Sequence, residues 1–181
     1  MLPYFNLQAG SKVLDLMCGY GRHAIALGRK GINVTAVDIL GDYVKEIQET
    51  VNKEGLPVQV MKTGVLHYKA GDVFDLAICM GNSLQFFNAA DTLQLLSNIS
   101  SQLKTGGHLL INTWSVAEIV MKNFTKNSWS QVGELKFLTN SNFLFHPARI
   151  ETESTIIASD GSTEVKNGVD YIYSLNEIEY M

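Results

Sequence analysis

The stretch VLDLMCGYGRHAIAL at residues 13–27 decides the fold of this chain. It begins with a short apolar run, continues through Gly19 and Gly21, and ends in a segment of helical composition. Glycines in a turn between a buried strand and a helix let a ligand approach the backbone closely. The stretch therefore predicts a strand, a glycine turn and a helix that together form a ligand site.

The same alternation continues on the C-terminal side of this stretch. Further strands are predicted at residues 33–37, 58–62, 74–80 and 108–114. Helical segments lie between them, including one from about Asp91, as N-cap, to Lys104, before the predicted stop at Gly106-Gly107. Strands that are apolar throughout and alternate with helices are typical of a parallel sheet with helices on both faces. We therefore expect an α/β fold.

After Trp114 the hydrophobic period changes to an alternating one. Apolar residues recur at even spacing between positions 165 and 173, and Asp160-Gly161 lies between two β-rich runs as a hairpin turn. These features predict an antiparallel meander at about residues 130–174, either an edge extension or, as we favour, a cap over the ligand crevice. The expected division is a core at 1–116, a β insertion of the same domain at 117–174, and the start of a further helix at 175–181.

Composition and charge describe one ordinary globular domain. Of the 181 residues, 46% are apolar and 18% charged, which excludes a disordered chain. The net charge is −4, and residues 151–181 hold seven acidic residues beside one lysine. A nucleic-acid partner needs a clustered basic face, so none is expected.

The sequence also favours a cytoplasmic location. No apolar run approaches the ~20 residues that span a bilayer, and the N-terminal residues lack the regions of a secretion signal. Cys18 and Cys79 lie far apart in apolar runs, without the spacing of a disulfide framework or a metal site. We therefore expect no membrane partner, no metal and two buried thiols.

Two cofactor classes fit the glycine turn on its own. The pattern Gly19-x-Gly21-x-x-Ala24, with Asp38 at the end of the next strand, matches the dinucleotide fingerprint, in which the carboxylate binds ribose hydroxyls. Asp15 separates the two classes, because a carboxylate shortly before the first glycine disfavours a pyrophosphate and suits a cation. A sulfonium nucleoside with an amino-acid tail is such a cation.

With these residues in place, the chain resembles the class I S-adenosylmethionine-dependent methyltransferases. The resemblance rests on VLDLMCGYGRHAIAL (13–27), VTAVDIL (34–40), FDLAICMGNSLQFF (74–87) and LKTGGHLLINTW (103–114). The Cys-Gly-x-Gly-Arg-His form and the later β-rich stretch are similar to a bacterial subgroup of small-molecule-type or uncharacterised members. The resemblance implies a Rossmann-like core with sheet order 3-2-1-4-5 and an antiparallel meander after the fifth strand.

The resemblance also implies which residues bind S-adenosylmethionine. The predicted cofactor contacts are Asp15, Cys18, Gly19, Tyr20, Gly21, Arg22, Asp38, Ile39, Met80 and Asn82. Asp15 and the glycine turn would hold the methionine part of the cofactor, Asp38 would bind the ribose hydroxyls, and Ile39 would flank the adenine. Met80 and Asn82 would line the face that presents the methyl group to the substrate.

Three features depart from the family pattern. Met17 stands where the family usually has the first glycine of the turn. Gly64 and Val65 occupy the loop that usually carries a carboxylate for the adenine amino group, so backbone groups are expected to recognise adenine. The chain begins and ends abruptly relative to the family, which suggests truncation at both ends and an exposed sheet edge that could pair in a homodimer.

The expected chemistry is an in-line displacement, in which positioning supplies much of the rate. An acceptor hydroxyl or ammonium must also lose a proton, and His67, His146, Tyr171 and Tyr173 are candidates, although none has a partner pattern that assigns the role. We expect an enzyme that moves a methyl group from S-adenosylmethionine to a small-molecule acceptor, with S-adenosylhomocysteine as product. The alternatives are an NAD-dependent oxidoreductase of Rossmann type and a non-catalytic cofactor-binding fragment.

Overall fold

The computed structural model describes residues 3–181 and divides into two compact units. The first unit contains the chain up to Ser83 together with Ala89–Thr113. The second contains Leu84–Asn88 together with Trp114–Met181. None of the described helices combines the length and the apolar character needed to cross a lipid bilayer.

The first unit is built on a five-stranded parallel sheet. Its strands are β1 (Lys12–Leu16), β2 (Asn33–Asp38), β3 (Val58–Lys62), β4 (Phe74–Cys79) and β5 (Leu103–Ile111). They pair in the order β3-β2-β1-β4-β5, which confirms the predicted order. Four consecutive residues of β1 are buried, Val13, Leu14, Asp15 and Leu16, because helices cover both faces of a parallel sheet.

Three helices belong to this unit: α1 (Arg22–Gly28), α2 (Gly41–Glu54) and α3 (Ala89–Gln102). In α2, Ile47 and Val51 lie one turn apart on the buried face and join the core beneath β1 and β2. The helix ends at Gly55, whose φ of 63° provides the left-handed conformation of a helix C-cap. The short α1 connects the glycine turn to β2.

The fifth strand differs from the prediction in its position. β5 begins at Leu103 rather than at residue 108, and α3 begins at Ala89 rather than at Asp91. Gly106-Gly107 therefore lie inside the strand, where the pairing of β5 with β4 shifts register. A Cβ at Gly107 would lie between 2.9 and 3.3 Å from three carbonyl oxygens, so the backbone itself fills this space. The glycines form a bulge in a strand instead of stopping a helix.

The second unit contains the predicted antiparallel meander. Its strands are β6 (Asn127–Val132), β7 (Leu135–Phe145), β8 (Ala148–Ile157) and β9 (Thr163–Tyr171), paired in chain order. The hairpin between β8 and β9 contains Asp160-Gly161, and Gly161 adopts a φ of 83°. This observation confirms the hairpin that was predicted from the dipeptide.

Two helices complete the second unit. The sequence did not predict α4 (Ala117–Asn123), which buries Val120 against Ile150 and Ile172. The predicted helix at the end of the chain is α5 (Leu175–Tyr180). It begins with a capping box, in which the Ser174 side chain accepts a hydrogen bond from the Glu177 N–H while the Glu177 carboxylate accepts one from the Ser174 N–H.

Candidate functional site

The candidate site of the first unit lies where β1, β2 and β4 end. In the sheet, Asp15 on β1 is level with Ala36 on β2 and with Ile78 on β4. The carboxyl ends of the three neighbouring parallel strands therefore meet at one edge, which is where open α/β sheets bind their ligands. The residues that follow these strands are Met17–Gly21, Ile39 and Met80–Asn82.

The glycine turn depends on left-handed backbone conformations. Gly19 has a φ of 54° and Gly21 a φ of 68°. A Cβ at Gly21 would lie 2.7 Å from Ile47 Cγ1, whereas a Cβ at Gly19 would have no atom within 4 Å. Gly21 is therefore required by packing as well as by conformation, while Gly19 leaves open space beside the turn. That space is available to a ligand.

Met17 also adopts a left-handed conformation, with a φ of 51°. This position carries the departure from the glycine of the family pattern, and the structure shows why glycine is the usual residue there. A side chain in this region of φ costs about 1–2 kcal/mol. The Met17 side chain is half-buried and therefore packs partly against the protein.

Asp38 fixes the position of the glycine turn. One oxygen of its carboxylate accepts a hydrogen bond of 2.9 Å from the Gly19 N–H, and the other accepts one of 2.9 Å from the Leu40 N–H. The side chain is buried at the end of β2. Each carboxylate oxygen has a second lone pair, so Asp38 can still accept hydrogen bonds from a ligand.

Asp15 is buried and incompletely hydrogen-bonded. It is only 1% exposed, and its Oδ2 has no hydrogen-bond partner among the described residues. Burial raises the pKa of Asp15 to about 7, with a smaller increase from the neighbouring Asp38, although a hydrogen bond from the Ala24 backbone opposes both. A buried carboxylate oxygen without a partner is costly, and a cation or an N–H donor would stabilise it.

The two cysteines are unbridged thiols near this carboxylate. Burial raises the pKa of Cys79 to about 11, with a further increase from the charge of Asp15. Burial likewise raises the pKa of Cys18, and Asp15 and Asp38 add to the effect. Both sulfur atoms are therefore protonated at neutral pH, and neither has the character of a nucleophile.

Other predicted contacts surround the turn with exposed or half-buried groups. The ring of Tyr20 lies 4.3 Å from that of Tyr43, centroid to centroid, a pairing that the sequence did not indicate. Arg22 is exposed at the start of α1, and its neighbour His23 has a pKa lowered first by burial and second by the charge of Arg22. Because Arg22 is exposed, the carboxylate of a ligand can reach its guanidinium group from solvent.

The remaining predicted contacts lie in the loops after β2 and β4. Ile39 is 65% exposed, and a Cβ at Gly64 would lie 3.7 Å from its side chain. Gly81, between the predicted contacts Met80 and Asn82, faces the β1 turn, since a Cβ there would lie 3.7 Å from the Met17 carbonyl oxygen. The structure thus brings the loop after β4 beside the glycine turn.

The proton-acceptor candidates lie in different surroundings. His67 in the first unit and His146 in the second are exposed, and Tyr171 is half-buried at the end of β9. Tyr173 is buried, and its hydroxyl donates a hydrogen bond of 2.6 Å to the Phe87 carbonyl oxygen. Because the hydroxyl proton of Tyr173 is used in this hydrogen bond to the backbone of Phe87, Tyr173 has a structural role in the second unit.

The groups of the glycine turn fit a ligand with a cationic part and vicinal hydroxyls. Asp15 offers an unpaired buried oxygen, and Asp38 offers its remaining lone pairs. The residues after β3, Thr63, Gly64 and Val65, provide no carboxylate for the amino group of an adenine. This donor and acceptor pattern fits the sulfonium nucleoside that the sequence suggested better than it fits a pyrophosphate.

The first unit of this chain is similar in sequence to a known protein family. The family profile described as "Methyltransferase domain" matches residues 13–107. The chain is 42% identical over 57 residues to an S-adenosyl-L-methionine-dependent Diels-Alderase of Neonectria sp. (strain DH2), a match that covers 32% of this chain and 23% of the relative. It is 24% identical over 110 residues to a ubiquinone biosynthesis O-methyltransferase of Rickettsia canadensis (strain McKiel), covering 61% and 45% respectively. The matches span less than half the length of these relatives.

A solved structure extends the likeness to nearly the whole chain. It is that of an S-adenosylmethionine-dependent methyltransferase from Clostridium acetobutylicum ATCC 824, with a TM-score of 0.79 and 20% sequence identity. The match covers 99% of this chain and 73% of that one. At this identity the likeness concerns the fold alone.

Proposed function

Because this chain belongs to the methyltransferase domain family, we propose that it transfers a methyl group from S-adenosylmethionine to a small-molecule acceptor. The observation that carries the proposal is the buried oxygen of Asp15, which has no partner beside an open glycine turn. A cationic ligand would supply the missing partner. The names of the relatives, which include a methyltransferase of ubiquinone biosynthesis, support a small-molecule acceptor.

S-adenosylmethionine supplies an electrophilic methyl group on a positively charged sulfur. In the proposed complex Asp15 stabilises the cationic methionine part, and the residues Cys18–Gly21 line it with backbone groups. Asp38 accepts hydrogen bonds from the ribose hydroxyls with the lone pairs that Gly19 and Leu40 leave unused. Ile39 covers one side of the adenine with its exposed side chain.

The further predicted contacts have more general roles in the proposal. Tyr20 and Arg22 border the methionine part, and Arg22 is placed to pair with its carboxylate. Met80 and Asn82 line the face on which the acceptor meets the methyl group. No catalytic residue is assigned among these groups, because the displacement requires alignment of the reacting atoms more than a dedicated acid or base.

The NAD-dependent oxidoreductase remains the competing function. It shares Asp38 and the glycine turn, but its pyrophosphate would bring negative charge toward the buried Asp15. Cofactor binding without methyl transfer is also a concrete alternative, because one relative is named as an S-adenosylmethionine-dependent Diels-Alderase and not as a methyltransferase. Binding and transfer must therefore be measured separately.

The binding experiment is titration calorimetry of the whole chain with S-adenosylmethionine, S-adenosylhomocysteine and NAD. We expect heat from the first two ligands only. Asp15→Asn should weaken binding of the cationic S-adenosylmethionine more than that of S-adenosylhomocysteine, whereas Asp38→Ala should weaken both. The matched control is Asp42→Asn, an exposed carboxylate in the first turn of α2. Binding of NAD alone, or equal affinities in wild type and both site variants, would overturn the proposal.

Transfer is tested with S-adenosylmethionine labelled in its methyl group and a panel of small amines, alcohols and thiols. Label on any acceptor distinguishes a methyltransferase from a protein that only binds the cofactor. We further propose a cytoplasmic location, supported by the two unbridged thiols, and a homodimer paired through the sheet edge at β5. The division at residues 116 and 174 into core, insertion and terminal helix is likewise a proposal, which limited proteolysis can test.

A further inference from the structure

Two tyrosines form an aromatic pair beside the glycine turn. Tyr20 lies between Gly19 and Gly21, and Tyr43 lies in the first turn of α2. Their ring centroids are 4.3 Å apart, and the ring planes are inclined to each other by 53°. A hydrogen bond between the two side chains accompanies the ring contact. The pair therefore connects the glycine turn to the start of α2.

Asp38 brings the two tyrosines together. Its carboxylate accepts hydrogen bonds of 2.9 Å from the N–H groups of Gly19 and Leu40. Tyr20 directly follows Gly19 in the chain. Tyr43 lies three residues after Leu40, which is the N-cap of α2. One buried side chain thus fixes both backbone segments, and the tyrosine pair is held beside the carboxylate that is proposed to bind the ribose.

The Tyr20 side chain is only partly covered by the protein. It is 56% exposed, although its ring contacts Tyr43, which is the only ring partner of Tyr20 within residues 3–181. The space beside the preceding residue is also open, because a Cβ at Gly19 would meet no atom within 4 Å. Since the two residues are adjacent, one ligand can occupy the space at Gly19 and contact the exposed part of the Tyr20 ring.

The chemistry of this position favours a cation. The face of an aromatic ring carries negative potential and attracts positive charge. The pKa of the Tyr20 hydroxyl is raised, first by Tyr43 and to a smaller extent by the negative charge of Glu46 in α2, so the hydroxyl stays protonated at neutral pH. The nearby carboxylate of Glu46 also disfavours an anionic ligand beside the ring.

We propose that the Tyr20 ring covers the sulfonium of S-adenosylmethionine and that Tyr43 is the positioning residue that holds the ring there. This inference rests on the proposed function, which places the methionine part of the cofactor at Cys18–Gly21. Tyr20 is then a specificity-determining residue, because S-adenosylhomocysteine carries the same groups around a neutral sulfur. The pair favours the methyl donor over the product.

The interaction with the ring lasts only as long as the charge on sulfur. During transfer a lone pair of the acceptor forms a bond to the methyl carbon, and the carbon–sulfur bond breaks with both electrons on sulfur. The sulfur of the product is therefore neutral, and the ring loses its electrostatic partner. Asp15 favours the cation as well, but its contribution is the same in all Tyr20 variants that are compared at one pH.

The first test is calorimetry of the whole chain with S-adenosylmethionine and with S-adenosylhomocysteine at pH 8. The quantity compared is the Kd of S-adenosylhomocysteine divided by that of S-adenosylmethionine. In Tyr20→Leu this ratio should fall about 2- to 30-fold, the range of a cation–π contact, whereas Tyr20→Phe keeps a ring and should retain the ratio. The matched control is Tyr4→Leu, at a tyrosine that is 83% exposed. An unchanged ratio in Tyr20→Leu, or an equal fall in Tyr20→Phe, would overturn the inference.

The role of Tyr43 is tested on the same ratio. Tyr43→Phe keeps the ring contact and removes the hydrogen bond, so it should retain the wild-type ratio. Tyr43→Ala removes both and should lower the ratio toward that of Tyr20→Leu. Adding Tyr43→Ala to Tyr20→Leu should then lower the ratio no further. A purely structural role would weaken both ligands equally, so an unchanged ratio in Tyr43→Ala would overturn the positioning role.

Turnover separates this inference from the proposed function. In the labelled-methyl assay, S-adenosylhomocysteine competes with the donor, and it should inhibit Tyr20→Leu at a lower ratio of product to donor than it inhibits the wild type. Binding and transfer with equal sensitivity to the product in all variants would overturn the inference while the methyltransferase function stands. Absence of binding by both nucleosides would remove the proposed function and this inference with it.

Discussion

The ends of β1 and β2 carry two buried carboxylates that differ in one respect. At the end of β2, both oxygens of Asp38 accept backbone hydrogen bonds of 2.9 Å. At the end of β1, one oxygen of Asp15 has no partner among the described residues, and burial raises its pKa to about 7. The two side chains lie at the same sheet edge, yet only Asp38 has hydrogen-bond partners for both of its oxygens without a ligand.

This difference shows how one site can combine a carboxylate that holds the backbone in place with a carboxylate that is left free to bind a ligand. Asp38 contributes to folding, because it fixes the turn that follows β1 through the Gly19 N–H. Asp15 opposes folding when it is ionised, because a buried charge is costly. A protein can retain a destabilising buried charge when a bound ligand stabilises that charge, which is a trade-off between stability and function.

The largest expected effect concerns the pH dependence of stability. Because burial raises the pKa of Asp15 from its ordinary 3.8 to about 7 in the folded state, Asp15 lowers the free energy of unfolding as pH rises from about 4 to 7. The loss amounts to at most about 4 kcal/mol. Below pH 4 the group is protonated in both states and has no effect. In Asp15→Asn this decrease should be absent, as urea unfolding at several pH values would measure.

Asp15 also links ligand binding to protons. A cation beside the carboxylate favours its ionised form, so S-adenosylmethionine should bind more tightly above pH 7 than below it and should release a proton on binding. Calorimetry in buffers of different ionisation enthalpy measures that proton. An affinity independent of pH, together with an unchanged stability profile in Asp15→Asn, would contradict the comparison between the two carboxylates.

Asp38→Ala should have the next largest effect. It should lower the free energy of unfolding, whereas Asp15→Asn should raise it at neutral pH. Asp38→Ala removes the acceptors of the Gly19 and Leu40 N–H groups, at a cost of roughly 3 kcal/mol in the free energy of unfolding. Asp38→Asn keeps one acceptor oxygen and should lose less. If Asp38→Ala unfolded at the same denaturant concentration as wild type, Asp38 would not organise the turn.

The smallest effects should come from the two glycines of the turn. Gly21→Ala places a methyl group 2.7 Å from Ile47 and also requires a φ of 68°, and it should cost about 2–3 kcal/mol. Gly19→Ala has only the conformational cost of about 1 kcal/mol, because its Cβ meets no atom within 4 Å. Gly19→Ala should nevertheless weaken S-adenosylmethionine binding, since the methyl group occupies ligand space. Equal losses of stability in both variants would be inconsistent with the geometry of the turn.

Much of this arrangement could be predicted from the sequence, because it follows from local patterns. The order of the parallel strands, the glycine turn at residues 19–21 and the hairpin at Asp160-Gly161 are all confirmed. Each depends on apolar runs and on residues that adopt special backbone conformations. Both signals are visible within a few neighbouring residues.

The features that the sequence did not reveal depend on contacts between distant residues. Gly106-Gly107 form a bulge because the carbonyls of β4 approach them closely, although the dipeptide is equally typical of a helix end. The hydrogen bond between the Gln85 and Asp170 side chains joins residues that are far apart in the chain. Only a half-buried carboxylate near the end of a strand whose first seven residues are exposed could have indicated it, and burial is not visible in the sequence.

The composition of the second unit has a consequence for how the chain can be rearranged. That unit takes Leu84–Asn88 from before α3 and the rest of its residues from after β5, and Tyr173 donates to a carbonyl within the earlier segment. The antiparallel sheet is therefore not a cassette. A recombination event or a designed chimaera that exchanged only the residues after Thr113 would separate the tyrosine from its acceptor, so the two segments should be inherited, grafted and randomised together.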